Sequence, residues 1–86
     1  MPEICRFYGI IIAIFYNEHN PPHFHARYGD DKASIGIRDL AIMEGGLPPR
    51  ALGLAMEWAS LHRQDLEKAW EQAKKNQVPG TIAPLP

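Results

Sequence analysis

The sequence predicts an α+β fold, in which a three- to four-stranded antiparallel meander packs on one long C-terminal amphipathic helix. The first half of the chain is rich in β-branched and aromatic residues, whereas the second half repeats apolar residues at intervals of three and four. The pairs Gly45-Gly46 and Pro48-Pro49 mark the boundary between the two halves. A chain of 86 residues is expected to form one domain, spanning residues 1–86.

The first strand is predicted over residues 4–16 as one long element. Both of its faces are apolar in the middle, so both need cover in the folded protein. A helix is expected to cover one face. For the face with Ile10, Ile12 and Ile14, we expect the chain's tail, a second copy or another protein as the cover, which makes a homo-oligomer a candidate state.

The following strands are predicted from alternation and turn signals. Residues 23–28 alternate between apolar and polar side chains, which predicts a half-buried strand. A tight turn at residues 29–31 leads to another strand over residues 32–37. The run at residues 40–44 is the candidate for a short fourth strand.

The helix is predicted over residues 49–76, where one apolar stripe lies opposite a charged side. Its length would be about 40 Å, more than a small sheet can cover, so a break near His62 is the alternative. His62 lies within the stripe, either as a core histidine or directed toward the other histidines. The tail, residues 77–86, could place Ile82 and Leu85 back on the sheet.

Charge and hydropathy limit the class of partner. The net charge of −1 provides no overall field for nucleic acid, so any such contact must rest on a local patch. No apolar run approaches the roughly 20 residues of a membrane-spanning helix, and the N-terminus lacks the pattern of a signal peptide. The single cysteine, Cys5, fits a reducing compartment. We therefore expect a cytoplasmic protein without a membrane partner.

Three of the four histidines lie in residues 19–29, around a Pro-Pro pair that stiffens the loop before the second predicted strand. On that strand His23 and His25 are two residues apart, so their rings project from the same face, together with Arg27. Because Arg27 is positively charged, this face favours an anion such as the phosphate of RNA or DNA over a metal ion. The predicted binding residues are His19, Pro21, Pro22, His23, His25, Arg27 and Tyr8.

A metal site is one alternative, with His19, His23 and His25 as ligands of a divalent transition metal such as zinc. No carboxylate or cysteine completes an obvious ligand set, and Arg27 would repel a cation. We therefore expect neither a metal nor another cofactor.

A metal-independent ribonuclease is the second alternative. Histidine titrates near neutral pH, so His23 and His25 could act as base and acid on a phosphodiester. Arg27 would then bind phosphate oxygens, and Tyr8 or Tyr28 would position a base or a proton. The same residue types also form plain anion-binding patches, so the balance favours a binding module over an enzyme.

Five segments carry a resemblance to a known family. They are ICRFYGI at residues 4–10, HNPPHFH at 19–25, RYG at 27–29, LPPRAL at 47–52 and EWA at 57–59. On these segments the chain resembles a bacterial family of short proteins catalogued as a domain of unknown function. The resemblance extends from the first residue to about Trp70.

The resemblance implies a biological setting rather than a reaction. Such proteins are similar to one half of two-gene modules of suspected toxin–antitoxin-like function, encoded beside another short protein. We therefore expect a component of a two-protein module that acts through its protein partner and through contact with RNA or DNA. The implied signature positions are His19, Pro21, Pro22, His23, His25 and Arg27, and no established catalytic role accompanies them.

Overall fold

The computed structural model describes residues 2–86 and confirms the α+β class. Five antiparallel strands form one sheet in chain order, and two helices follow them, so the prediction undercounted both. The strands are β1 (Glu3–Phe7), β2 (Ile10–Ala13), β3 (His23–Tyr28), β4 (Asp31–Gly36) and β5 (Ile42–Gly45). The helices are α1 (Pro49–Leu61) and α2 (Arg63–Lys74).

The single long strand predicted over residues 4–16 is wrong, because the structure has a hairpin there, formed by β1 and β2. Tyr8 and Gly9 form its two-residue turn, with φ angles of 48° and 80°. Positive φ at both central positions is what a type I′ turn requires. The turn places Phe7 directly opposite Ile10. Gly9 is the one signal of this turn within an otherwise apolar run.

The hairpin changes which face of the sheet needs cover. Ile10, Ile12 and Ile14 lie on the same side as Phe7 and are fully buried in the core that the sheet forms with the helices. The expectation of a partner over these three residues is therefore wrong. The other face of the sheet, which includes Ile11, is not covered by the helices.

The remaining strands lie close to their predicted bounds. β3 spans the predicted residues, and β4 begins and ends one residue earlier than predicted. The candidate strand at residues 40–44 is present as β5, displaced toward the C-terminus. Gly29 has a φ of 60° at the first central position of the β3–β4 turn, which fits a type II′ turn.

The continuous helix predicted over residues 49–76 is wrong, because the helix is divided at His62. This residue has φ −120° and ψ 27°, outside the helical range, and its amide donates to the carbonyls of Trp58 and Ala59. A straight helix of that length would span about 40 Å, whereas the molecule measures 33 Å along its longest axis. The bend lets both Trp58 and Trp70 lie in the core.

The C-terminal tail packs on the core, as the sequence predicts. The amide of Ile82 donates to the carbonyl of Ile4 at 2.8 Å, and Leu85 is buried. The indole of Trp58 donates to the Ala83 carbonyl at 2.8 Å. Within residues 2–86, neither helix has the length and apolar character needed to cross a membrane.

Candidate metal centre

The connection between β2 and β3 folds back over the beginning of β3. Its Asn20–Pro21 peptide bond is cis. The carbonyl of Pro22 accepts a 3.0 Å hydrogen bond from the amide of Ile37, just after β4, which ties the end of the loop to the sheet. This loop brings the Glu18 carboxylate to the histidines of β3.

His23 is the buried histidine of the site, with 7% of its surface exposed. Its Nδ1 lies 2.9 Å from the carbonyl oxygen of Pro21. Because a carbonyl oxygen only accepts, Nδ1 donates this hydrogen bond, and Nε2 of the neutral ring keeps a free lone pair. That Nε2 lies 3.7 Å from Oε1 of Glu18, and the ring packs against Trp70 at a centroid distance of 5.1 Å.

His25 is held at both ring nitrogens. Its Nε2 lies 2.8 Å from Oε1 of Glu18, and its Nδ1 lies 3.2 Å from the hydroxyl of Ser34, its partner across the β3–β4 ladder. The ring also stacks on Phe15, with centroids 4.0 Å apart. A hydroxyl can donate or accept, so Ser34 supports either neutral tautomer of His25. The ring can therefore present Nε2 protonated to Glu18 or bare to a metal ion.

Glu18, His23 and His25 offer three ligand atoms that all lie within 4.8 Å of one another. A single carboxylate oxygen, Glu18 Oε1, faces Nε2 of both rings. Two imidazoles and one carboxylate form a ligand set used by zinc and by non-haem iron. The Pro21 carbonyl and the Ser34 hydroxyl contact the remaining ring nitrogens, as hydrogen-bonding partners of metal-binding histidines usually do.

Sequence reasoning missed two residues of this arrangement, Glu18 and Ser34. The predicted third ligand, His19, is exposed and lies outside the ligand group. Glu18 could have been found from its place in the same proline-stiffened loop, one residue before His19. The role of Ser34 depends on the strand register that pairs it with His25, which only the folded sheet provides.

The other predicted site residues do not belong to the ligand group. Arg27 is exposed and follows His25 by two positions on the same face of β3, so it flanks the group. Tyr8 and Tyr28 lie at the opposite end of β3 from His23, roughly 15 Å along the strand. The tyrosines are therefore not placed to act on the same small ligand as the histidines.

Two further titratable residues, His62 and Cys5, lie outside the ligand group. Nδ1 of His62 lies 3.3 Å from an oxygen of Asp65, and its ring tilts against Trp58 at 5.4 Å, so it lies with the helices rather than with the ligand group. Burial raises the pKa of the Cys5 thiol, which therefore stays protonated and weakly nucleophilic at neutral pH.

The family relationship of the chain follows from its sequence match over most of this structure. No curated protein and no solved structure shows a significant match to it. The family described as "Domain of unknown function (DUF4160)" matches residues 9–71, more than two thirds of the chain, and this range includes the complete ligand group. The protein therefore belongs to the DUF4160 family, a domain of unknown function.

Proposed function

We propose that this protein binds one divalent transition-metal ion through Glu18, His23 and His25. One observation carries the proposal: Oε1 of Glu18 lies 2.8 Å from Nε2 of His25 and 3.7 Å from Nε2 of His23. In its neutral form His23 directs a lone pair, not a proton, toward that carboxylate. Two groups that both carry negative charge density repel each other unless a proton or a metal ion lies between them.

A metal ion satisfies this arrangement more completely than a proton does. A second proton on His23 would lie between Nε2 of this ring and Oε1 of Glu18, two atoms that are 3.7 Å apart. That proton would satisfy a single contact. A metal ion would use all three donors together, and the charge of Glu18 would offset part of its own.

The proposed centre has the form of a reactive metal site rather than a purely structural one. Structural zinc sites are usually closed by four protein ligands, whereas three protein ligands leave a position for water or substrate. Glu18 and His25 are partly exposed, so solvent reaches one side of the group. We infer that the open position faces this side.

Metal titration of the full chain tests the proposal. The protein is stripped with a chelator and titrated with ZnCl₂ by calorimetry and with CoCl₂ by absorption spectroscopy, with one ion bound per chain as the expected result. Glu18→Gln and His25→Ala are each expected to weaken binding by at least about tenfold. His19→Ala, from the same loop, is the matched control and is expected to keep the wild-type affinity.

Two outcomes would overturn the proposal. The first is a folded wild-type protein that binds neither ion stoichiometrically. The second is a result in which His19→Ala and His25→Ala lose equal metal affinity while Glu18→Gln keeps the wild-type affinity. This result would assign the centre to the three histidines instead.

A metal-independent ribonuclease is a second proposal, supported by the ring centroids of His23 and His25 lying 5.1 Å apart. The Glu18 carboxylate beside both rings weighs against it, because it repels a phosphate at that point. RNA cleavage in the presence of EDTA, with a bell-shaped pH profile and loss in His23→Ala, would favour this reaction. RNA that stays intact at every pH would eliminate it.

Membership of a two-protein module is a third proposal, supported by the family resemblance and by one edge of the sheet. All four residues of β5 are exposed, including the apolar Ile42 and Met43. An uncovered apolar edge strand is suited to the addition of a strand from a partner. Native mass spectrometry after co-expression with the genomic neighbour tests this role. Met43→Lys is expected to weaken the complex, and the absence of any complex would contradict it.

A further inference from the structure

The face of the sheet opposite the helices carries a second arrangement that the ligand group does not explain. Its centre is a shallow cavity of about 170 Å³ on β2, β3 and β4. Strand register places Ile11, Arg27 and Lys32 side by side across these three strands. The next row along the strands contains Ala13, His25 and Ser34, so His25 belongs both to the cavity and to the proposed metal centre.

Arg27 and Lys32 are two like charges placed directly opposite each other on β3 and β4. Directly opposed like charges destabilise a sheet, and their Cα atoms are about 5 Å apart in any antiparallel pair. Both residues are exposed, and neither forms an ion pair with any of residues 2–86. Glu44 faces the neighbouring depression with Lys32 and does not reach ion-pairing distance of it. An anion bound between the two cations would offset their repulsion.

Apolar and aromatic side chains form the floor beside this cationic pair. Ile11 and Phe15 are half-buried, and both line the cavity together with Ala13. The Phe15 ring is already stacked on His25, with an angle of 17° between the planes. Cations next to a flat apolar surface are suited to a phosphate joined to a nucleobase, and exposed base faces are available in single strands but not inside a duplex.

We propose that this face binds single-stranded nucleic acid, with a backbone phosphate between Arg27 and Lys32 and a base against Ile11 and Phe15. The position of His25 places that phosphate beside the proposed metal centre, and this part of the inference rests on the proposed function. The net charge of −1 restricts the attraction to the local pair. The face is therefore the surface on which a nucleic acid would meet the metal.

Fluorescence anisotropy with a labelled 12-nucleotide oligouridine tests the proposal, alongside the DNA equivalent and a duplex of the same length. The double variant Arg27→Gln/Lys32→Gln is expected to bind at least about tenfold more weakly. Its salt dependence is expected to be shallower by about 0.7 for each charge removed. The double variant Lys74→Gln/Lys75→Gln removes the same charge at the end of α2 and is expected to bind like the wild type.

The variants also separate this inference from the metal proposal. Arg27→Gln/Lys32→Gln is expected to retain zinc affinity, whereas Glu18→Gln is expected to weaken zinc binding and, because it removes a negative charge, to bind oligouridine at least as tightly as the metal-free wild type. Zinc loading of the wild type is expected to strengthen oligouridine binding, and Glu18→Gln is expected to remove only that increase. A variant that loses oligouridine binding but keeps its zinc affinity therefore tests the nucleic-acid inference alone and leaves the metal proposal unaffected.

Three results would overturn the inference. One is an equal weakening of oligouridine binding in Arg27→Gln/Lys32→Gln and in Lys74→Gln/Lys75→Gln, which would indicate non-specific attraction. Another is a duplex that binds as tightly as the single strand. The third is displacement of oligouridine by inorganic phosphate at a concentration equal to that of the phosphate groups in the oligonucleotide. The face would then bind an anion without using the base.

Discussion

Glu18 and His25 lie seven residues apart in the chain, and Oε1 of the carboxylate is 2.8 Å from Nε2 of the ring. This contact joins a loop to the strand that follows it. Because Ser34 contacts the other ring nitrogen at 3.2 Å, the orientation of His25 is set from both sides. A donor whose orientation is already set loses less conformational entropy on binding a ligand.

Ser34 is expected to position His25 for metal binding. Ser34→Ala removes the hydroxyl that accepts from Nδ1 when Nε2 binds a metal, so we expect zinc affinity to fall by about tenfold. Ser34→Thr keeps a hydroxyl and is expected to restore most of the affinity. Calorimetric titration of both variants measures the effect, and equal losses in the two variants would show that packing, not the hydroxyl, is responsible.

The two core tryptophans are expected to differ in their response to the same substitution. Trp58 donates a 2.8 Å hydrogen bond to Ala83, whereas the buried indole nitrogen of Trp70 has no partner among residues 2–86. Trp58→Phe should therefore lower the free energy of unfolding by about 1–2 kcal/mol more than Trp70→Phe. Urea denaturation of the two variants compares them directly, and the reverse order would contradict this reasoning.

Two adjacent glycines at the end of β5 are expected to differ in their tolerance of alanine. Gly45 has a φ of 73°, and a Cβ there would collide with the carbonyl oxygen of Lys32. A Cβ on Gly46 would meet no atom within 4 Å. Gly45→Ala is therefore expected to cost about 2–4 kcal/mol of stability, and Gly46→Ala less than about 0.5 kcal/mol. Thermal unfolding measures both, and similar values would count against the β4–β5 register.

Cys5 is expected to make stability depend on pH in alkaline solution. Burial raises the pKa of its thiol above the ordinary value of 9.0, so the folded state favours the neutral form. This contribution is fully present below the unfolded-state pKa and is lost as the pH rises through the higher folded-state pKa. Urea unfolding between pH 7 and pH 10 should therefore show a steeper decline for the wild type than for Cys5→Ala. Parallel curves would contradict the prediction.

Local sequence signals were sufficient for β3 and β4, and they located β5 approximately. Alternation located β3 within its exact bounds, and the Pro48-Pro49 pair located the beginning of α1. The β1–β2 hairpin was missed because its turn consists of Tyr8 and Gly9 inside a run of apolar residues. That omission assigned Ile10, Ile12 and Ile14 to an uncovered face, because one two-residue turn changes the phase of the whole strand.

The candidate site likewise has one part that the sequence predicts and one part that it does not. The sequence predicts that His23 and His25 share a face, because alternation along a strand is a local property. It does not predict that Glu18, rather than His19, completes the group, because the side that a loop residue faces depends on the path of the loop.

By itself, the sequence determined the α+β class, the amphipathic second half and the histidine pair on β3, all of which follow from the period of the backbone. The tertiary structure decided between the continuous helix and the break near His62, in favour of the break, since a straight helix of about 40 Å would exceed the 33 Å longest axis of the molecule. It also decided the charge at the centre of the site. The returning loop places Oε1 of Glu18 2.8 Å from Nε2 of His25 and 3.7 Å from Nε2 of His23, and this contact is the reason that we propose a cation, not an anion, as the ligand there.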